Sequence, residues 1–190
     1  MPVRKNHNDG LTWFITFTCF DWLSLFEITN SYDLVYKWFN YLKNEELADI
    51  VSYVIMPNHL HAILHLNHSQ VKLNTVVANG KRFMAYEIIE RLKLAKQSAI
   101  LEKLKAGVSV TDNNKGQKHR VFETSFDAKA IHTDKFFFQK FRYIHLNPVS
   151  GKWALASDFA MYEHSSAAFY EFGTATYFTP RHYGEVWLND

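Results

Sequence analysis

Residues 53–66 constrain the fold of this chain more than any other segment. They read YVIMPNHLHAILHL, two apolar stretches separated by Pro57 and Asn58. Proline cannot pair in the middle of a sheet and asparagine tolerates turn geometry, so the pattern predicts two strands joined by a tight turn. Strands this close in sequence leave no room for a crossover connection and must pair antiparallel.

Two histidines lie in the second of these strands. Side chains at positions i and i+2 of a strand point to the same face, so His59 and His61 project together while Leu60 points into the core. Imidazole nitrogens are common metal ligands, and the pair therefore indicates a metal site. His65 lies on the same face and is a further candidate ligand. Histidines at this spacing are more often structural or solvated, and the spacing alone leaves that alternative open.

The remaining periodicity predicts elements in the order β, α, β, β, α, β, α. Strands are predicted at 13–20, 49–56, 59–66 and 121–126, and helices at 31–44, 73–105 and 133–146. Gly80 is expected to divide the second helix, and the polar residues 107–117 are expected to form a mobile loop. The first six elements match the split βαβ arrangement, so the predicted fold class is α+β and ferredoxin-like, an antiparallel sheet with helices packed on it. The length of 190 residues favours a single domain, 1–190, with a core at about 11–150 and an aromatic-rich extension at 151–190.

Composition excludes several classes of site. Cys19 is the only cysteine, so neither an intramolecular disulfide nor a cysteine zinc site is expected. No apolar run reaches the roughly 18 residues of a membrane span, and no apolar stretch follows the charged N-terminus as in a signal peptide. We therefore expect a cytoplasmic protein with no membrane partner.

Positive charge is concentrated in one part of the chain. Residues 81–120 carry ten Lys or Arg against four acids, a balance of +6, whereas the whole chain has a net charge of +2. Such a segment is a candidate contact surface for phosphate groups. A solvated helix face with ion pairs such as Glu87–Arg91 explains the same pattern, and both interpretations stay open.

A second polar cluster lies on the last predicted helix, which Thr133 can cap and which Pro148 ends. Tyr143 and Asn147 are four residues apart and therefore share a helix face, with Gln139 one turn earlier. A boundary face with the tyrosine hydroxyl in water is one interpretation. The functional one is that Tyr143 is a nucleophile.

In that functional interpretation Asn147 is a third metal ligand. An amide oxygen beside two imidazoles leaves coordination positions for water and phosphate, which suits Mg²⁺ or Mn²⁺ better than a closed zinc site. The metal would polarise a phosphoryl oxygen, and the phenol of Tyr143 would attack the phosphorus to give a covalent phosphotyrosine.

These motifs resemble a known family. Residues 54–64, VIMPNHLHAIL, resemble the HUH motif (histidine, bulky hydrophobic residue, histidine) of single-tyrosine transposases, and residues 143–149, YIHLNPV, resemble their tyrosine helix. The Ser-Ser pair within 162–167 is similar to the C-terminal region of one subgroup, the REP-associated tyrosine transposases of the insertion-sequence-200 type. The matching elements span about residues 11–170 in the expected order.

The resemblance implies a fold and a reaction. The fold is ferredoxin-like and related to the RNA-recognition fold, with the HUH motif on a central strand. Mg²⁺ or Mn²⁺ would be held by His59, His61 and Asn147. Tyr143 would cut single-stranded DNA beside a hairpin, leaving a 5′-phosphotyrosine and a free 3′-hydroxyl, and rejoining would complete strand transfer. Family members act as a monomer or a homodimer, and the sequence does not choose between them.

Further DNA contacts are expected near predicted strand ends. Lys5, Arg120 and Lys129 are candidate phosphate contacts, although ordinary surface charge explains each of them equally well. Aromatic side chains outside the clear periodic patterns are candidates for stacking with bases: Trp22, Phe122, Tyr162 and Tyr170.

Three other functions stay open on sequence alone. A replication initiator or relaxase would use the same nicking chemistry, but such proteins usually carry further domains. A catalytically inactive or domesticated nucleic-acid-binding module could share the fold. A ferredoxin-like protein of unrelated role could hold the histidines as structural groups.

Overall fold

The structure is a computed structural model that describes residues 11–187. Its four-stranded sheet consists of β1 (Thr12–Thr18), β2 (Ala48–Met56), β3 (His59–Leu66) and β4 (Asp127–Ala130) in the spatial order β2-β3-β1-β4. Every neighbouring pair is antiparallel. The sheet confirms the predicted α+β, ferredoxin-like class and places the histidine strand β3 at a central position.

Eight α-helices connect or cover the strands within the described residues. They are α1 (Leu25–Ile28), α2 (Tyr32–Asn44), α3 (Leu73–Leu94), α4 (Ser98–Ala106), α5 (Val110–Asn114), α6 (Asp134–Leu146), α7 (Ala167–Phe172) and α8 (Tyr183–Val186). Short 3-10 turns cover Phe20–Trp22, Asn147–Val149 and Phe159–Met161. The predicted cap of α6 is confirmed, since the Thr133 hydroxyl accepts a hydrogen bond from the Phe136 amide.

The sheet separates two hydrophobic layers. On one face α2 and α3 contribute residues such as Trp38 and Ile88 to a large core that also contains Leu60. On the other face α6 packs through Phe137 and Ile144, and the C-terminal segment contributes Tyr162 and Val186. The side chains of β3 alternate between these layers, so His59 and His61 face α6 while Leu60 faces α2 and α3.

The fourth strand does not lie where the sequence predicted it. Residues 121–126 make only an isolated bridge between Phe122 and Cys19, and the edge strand is Asp127–Ala130. Val121 and Phe122 are buried by side-chain packing rather than by a continuous ladder. The true strand is short and only half-buried, as edge strands often are, so its hydrophobic pattern is weak.

Gly80 does not divide the long helical region. A Cβ at this position would lie 2.5 Å from Cε2 of Trp38, so the missing side chain lets α3 pass close to α2. The helix ends instead at Leu94, and Lys96 has a positive φ of 53°. The predicted 107–117 loop contains the short helix α5, which the Ser109 side chain caps.

The segment after α6 packs along the outer edge of β2. The amide of Ile55 donates to the His164 carbonyl and the amide of Ser166 donates to the Tyr53 carbonyl, at 2.8 and 3.0 Å. This pairing covers an edge that would otherwise be open. The segment is therefore more ordered than the irregular extension that the sequence predicted. Within residues 11–187 no helix is both long and apolar enough to cross a bilayer.

Candidate active site

His59 and His61 lie side by side on the face of the sheet that α6 covers. Their ring centroids are 4.7 Å apart, and the residues are only 5% and 6% exposed. Their close approach confirms the same-face geometry predicted from the spacing. Two buried imidazoles need polar partners, because an unsatisfied buried nitrogen is costly.

Each imidazole has a partner at Nδ1. The distance from His59 Nδ1 to Asn58 Oδ1 is 2.6 Å, and an amide oxygen can only accept, so Nδ1 of His59 carries the proton. Asn58 is itself oriented, because its Nδ2 donates to the Trp22 carbonyl at 3.0 Å. His61 Nδ1 lies 2.6 Å from the Thr16 hydroxyl, the cross-strand neighbour in β1. Partners of this kind orient the rings and leave the Nε2 atoms for a ligand.

Burial keeps both histidines neutral. Desolvation lowers the pKa of His59 to about 4. It also lowers the pKa of His61 to about 3, with smaller contributions from His59 and the Lys140 ammonium. Neutral imidazole is the form that binds metal.

Tyr143 lies directly across from His61. Its hydroxyl is 3.4 Å from His61 Nε2, and the two ring centroids are 5.1 Å apart. When Nδ1 of His61 donates to Thr16, the Nε2 lone pair accepts from the phenol. The Tyr143 residue is 46% exposed, so its hydroxyl is both beside a histidine and open to solvent.

Lys140 adds positive charge one turn before Tyr143. Its ammonium lies 5.4 Å from the centroid of the Tyr143 ring and 4.8 Å from that of Phe14. Desolvation and the nearby Lys129 lower the pKa of Lys140. This cation can attract a phosphate or stabilise negative charge that develops on the phenol oxygen.

Helix α6 is fixed to the sheet by a buried polar contact. His145 Nε2 lies 3.1 Å from the Ser52 hydroxyl of β2 and 2.8 Å from the Ser166 hydroxyl of the C-terminal segment. Burial lowers the pKa of His145 to about 4, so this ring is also neutral. The contact determines where the helix places Tyr143 relative to His61.

Asn147 follows α6, one turn beyond Tyr143, in the Asn147–Val149 turn. Asn147 is half-buried, and within residues 11–187 its side chain makes no hydrogen bond. No group of three His, Cys, Asp or Glu side chains that could hold a metal forms in the described part of the chain. The ligand role of Asn147 therefore stays a prediction.

Other residues named from sequence lie in different settings. His65 Nδ1 is 2.8 Å from the Thr12 hydroxyl, at the far end of β3. Gln139 is exposed on α6. Of the stacking candidates, Phe122 and Tyr162 are buried and the Tyr170 hydroxyl donates to the Val51 carbonyl, whereas Trp22 is 64% exposed.

The three candidate phosphate contacts also differ. Lys5 lies outside the described residues. Arg120 pairs with Glu123 and its guanidinium lies 4.7 Å above the Phe20 ring, so it has intramolecular partners. Lys129 is exposed on β4, opposite Phe14 and on the side of Lys140. All three DNA contacts stay predictions.

Sequence reasoning did not identify several residues that complete this site. Asn58 was interpreted only as a turn residue, although its position directly before His59 was a usable signal. Thr16 and Lys140 become partners only once strand register and helix placement are known. Trp153, whose ring centroid lies 5.9 Å from that of His59, had no signal in the sequence.

Comparisons with known proteins establish the fold. No protein-family model matches the chain, and no curated protein sequence is significantly similar to it. A solved structure of a REP-associated tyrosine transposase bound to a REP hairpin superposes with a TM-score of 0.63 at 17% identity, covering 95% of this chain and 92% of that one. A crystal structure of a Deinococcus radiodurans protein described as a candidate transposase gives a TM-score of 0.44 at 12% identity, covering 76% of this chain and 95% of that one. The chain therefore has the fold of a REP-associated tyrosine transposase along nearly its whole length.

Proposed function

We propose that this chain is a metal-dependent transposase of the REP-associated tyrosine type, which cuts and rejoins single-stranded DNA beside a hairpin. The observation that carries the proposal is the 3.4 Å approach of the Tyr143 hydroxyl to Nε2 of His61. Tyr143, the candidate nucleophile, and His61, a candidate metal ligand, are far apart in sequence but lie side by side in the structure. The fold that brings them together is the one that the resemblance of both motifs implied. The hairpin partner rests on the fold likeness to a protein that was solved with a REP hairpin.

The donor set fits a divalent metal ion. Both imidazoles are neutral, and the Asn58 and Thr16 side chains orient them through Nδ1. His59 and His61 would hold Mg²⁺ or Mn²⁺, with Asn147 as the proposed third ligand. The ion would polarise an oxygen of the scissile phosphate.

Tyr143 would act as the nucleophile. Its oxygen would form a bond to phosphorus while the bond from phosphorus to the 3′ oxygen breaks, giving a 5′-phosphotyrosine and a 3′-hydroxyl. The phenol proton would leave to solvent, and the departing 3′ oxygen would take a proton from water. Attack of another 3′-hydroxyl on the phosphotyrosine would restore the phenol and rejoin the strand. The Lys140 ammonium beside the ring would stabilise the negative charge of the transition state as the phenol oxygen attacks phosphorus.

A denaturing gel tests the nucleophile. The protein is mixed with labelled single-stranded hairpins drawn from the DNA that flanks its gene, with Mn²⁺ or with EDTA. We expect a covalent protein–DNA band that needs Mn²⁺ and that Tyr143→Phe abolishes, because only the attacking hydroxyl is lost. Hairpin binding on a native gel should survive this substitution.

Other outcomes would support the rival functions. Hairpin binding without any covalent band in the wild type would favour an inactive nucleic-acid-binding module. A covalent band that persists in Tyr143→Phe would exclude Tyr143 as the nucleophile.

A further inference from the structure

A cleft beside the histidine pair has no part in the reaction described above. It lies between the end of β1, the following 3-10 turn and the strand β4, and its lining residues are Thr16, Thr18, Trp22, Glu123, Ser125, Phe126 and Asp127. Thr16 and Thr18 pair across the sheet with His61 and His59, so the cleft adjoins the proposed metal site on the β4 side.

Trp22 forms an exposed wall of this cleft. At 64% exposure it is among the most exposed large apolar side chains of the described residues, and its ring centroid lies 6.0 Å from that of His59. A tryptophan in water costs free energy unless something covers it, and a flat indole beside a DNA-cutting site suits an unpaired base.

The backbone holds Trp22 in this position. Asp21 and Trp22 both have positive φ, 51° and 55°, a conformation that non-glycine residues rarely adopt. Lys103 pairs with the Asp21 carboxylate at 2.6 Å, and Asn58 donates to the Trp22 carbonyl at 3.0 Å. Asn58 also accepts from His59, so one side chain contacts both the Trp22 backbone and the His59 ring.

Other residues that line the cleft carry hydrogen-bonding groups. Asp127 pairs with Thr16 across the sheet, so its carboxylate lies on the same face as His61. Among residues 11–187 this carboxylate has no hydrogen-bond or ionic partner, whereas that of Glu123 is engaged by Arg120 and by the Asp21 amide. Lys81 fixes the backbone of residues 123–125. Its ammonium donates to the Glu123 carbonyl at 2.6 Å and lies 3.4 Å from the carbonyl oxygens of Thr124 and Ser125.

We propose that this cleft binds one unpaired base next to the scissile phosphate, with Trp22 stacking on the base and Asp127 accepting a hydrogen bond from its exocyclic amino group. A carboxylate only accepts. At the exocyclic position, cytosine N4 donates to it whereas thymine O4 is a second acceptor that repels it, so a carboxylate placed against that position favours cytosine. This inference deepens the proposed function, because it gives the reaction a base preference at the cut site. The predicted base preference concerns binding alone, so it can be measured without a metal ion and does not depend on the Tyr143 hydroxyl.

The test compares two oligonucleotides of equal length whose bases are both pyrimidines. Binding of fluorescein-labelled dC6 and dT6 to the full chain is measured by anisotropy in EDTA. We expect dC6 to bind at least about five-fold more tightly than dT6, the lower end of what one base-edge contact provides. Asp127→Asn should remove this difference while binding dT6 at least as tightly as the wild type does, because the amide can donate to thymine O4.

The stacking contact is tested by Trp22→Ala. We expect it to weaken binding of both oligonucleotides by about five-fold or more, since stacking on an aromatic ring does not depend on base identity. Phe172→Ala removes another exposed aromatic residue and Glu171→Gln removes another exposed carboxylate, both from α7. These control variants should bind both oligonucleotides as the wild type does.

Two results would overturn the cleft as a base site: no preference for dC6 in the wild type, or a Trp22→Ala variant that binds like Phe172→Ala. Absence of binding to both oligonucleotides would overturn it as well. The expected binding pattern without a covalent band in Mn²⁺ would support the cleft and remove the proposed reaction. A covalent band without the expected binding pattern would support the proposed reaction and overturn the cleft as a base site.

Discussion

The histidine half and the tyrosine half of the site are built in different ways. His59 and His61 are buried in a central strand, and neighbouring side chains orient both rings. Tyr143 lies half-exposed on a helix that a buried contact of His145 holds to the sheet. The histidine half should therefore be as rigid as the core, whereas the tyrosine half can change independently of it. Substitutions can separate the two halves.

The largest effect is expected in the histidine half. His61→Ala should weaken Mn²⁺ binding by more than about 100-fold, because loss of a ligand exceeds the 10–100-fold effect of losing an orienting partner. Thermal unfolding with increasing Mn²⁺ measures this, since a ligand of the native state raises Tm. His65→Ala on the same face of β3 is the control. An equal loss of the Mn²⁺ effect in both variants would show that His61 has no special role.

The contact between the halves should have the next largest effect. His145→Ala should lower the free energy of unfolding by about 2 kcal/mol, because Ser52 and Ser166 lose a buried partner. Covalent attachment per folded molecule should also fall, while Mn²⁺ affinity stays unchanged. Urea unfolding and single-turnover rates measure these quantities, with Gln139→Ala on exposed α6 surface as the control. A change in Mn²⁺ affinity as large as the change in rate would mean that the halves are not separable.

A smaller effect is expected in the tyrosine half. Lys140→Met keeps a long side chain but removes the ammonium that lies over the Phe14 ring and beside Tyr143. We expect the single-turnover rate of covalent attachment to fall about ten-fold, from the loss of one favourable charge interaction. Lys135→Met, at an exposed position in the first turn of α6, controls for net charge. Equal rates in the two variants would assign Lys140 to general attraction of DNA.

The smallest effect concerns the cleft beside the histidine half. Burial lowers the pKa of Lys81 from 10.5 to about 8, so between these values the unfolded chain binds more protons than the folded one. The free energy of unfolding attributable to this lysine should therefore rise with pH from about 8 to 10.5, by on the order of 1 kcal/mol after solvent screening. Unfolding curves of the wild type and of Lys81→Met, compared across this range, measure the difference. A difference that is constant with pH would contradict the shifted pKa.

The sequence predicted the histidine half better than the tyrosine half for a physical reason. Alternation along a strand determines which residues share a face, so the pairing of His59 with His61 followed from the spacing. The distance from Tyr143 to His61 depends on how α6 crosses the sheet, which contacts distant in sequence decide. The association of Tyr143 with His61 was predicted from the resemblance to a known family and not from the pattern of residues.

Errors in the predicted fold arose where tertiary contacts override local pattern. The edge strand β4 carries little apolar signal, and the more apolar residues 121–126 were taken for it. Gly80 was interpreted as a helix breaker, although packing against Trp38 requires a glycine within a continuous helix. Trp22 was a stacking candidate from sequence, but its place beside His59 follows from the fold alone.

Mass spectrometry of the covalent complex tests the central claim most directly. The wild-type protein is incubated with Mn²⁺ and a cleavable single-stranded hairpin, digested with protease and nuclease, and mapped for the residue that carries a nucleotide. We expect a 5′-phosphate ester on Tyr143 alone, absent when EDTA replaces Mn²⁺ and when His61 is replaced by alanine. Attachment to any other residue, or attachment to Tyr143 that survives EDTA, would contradict a tyrosine nucleophile assisted by a metal on the histidine pair.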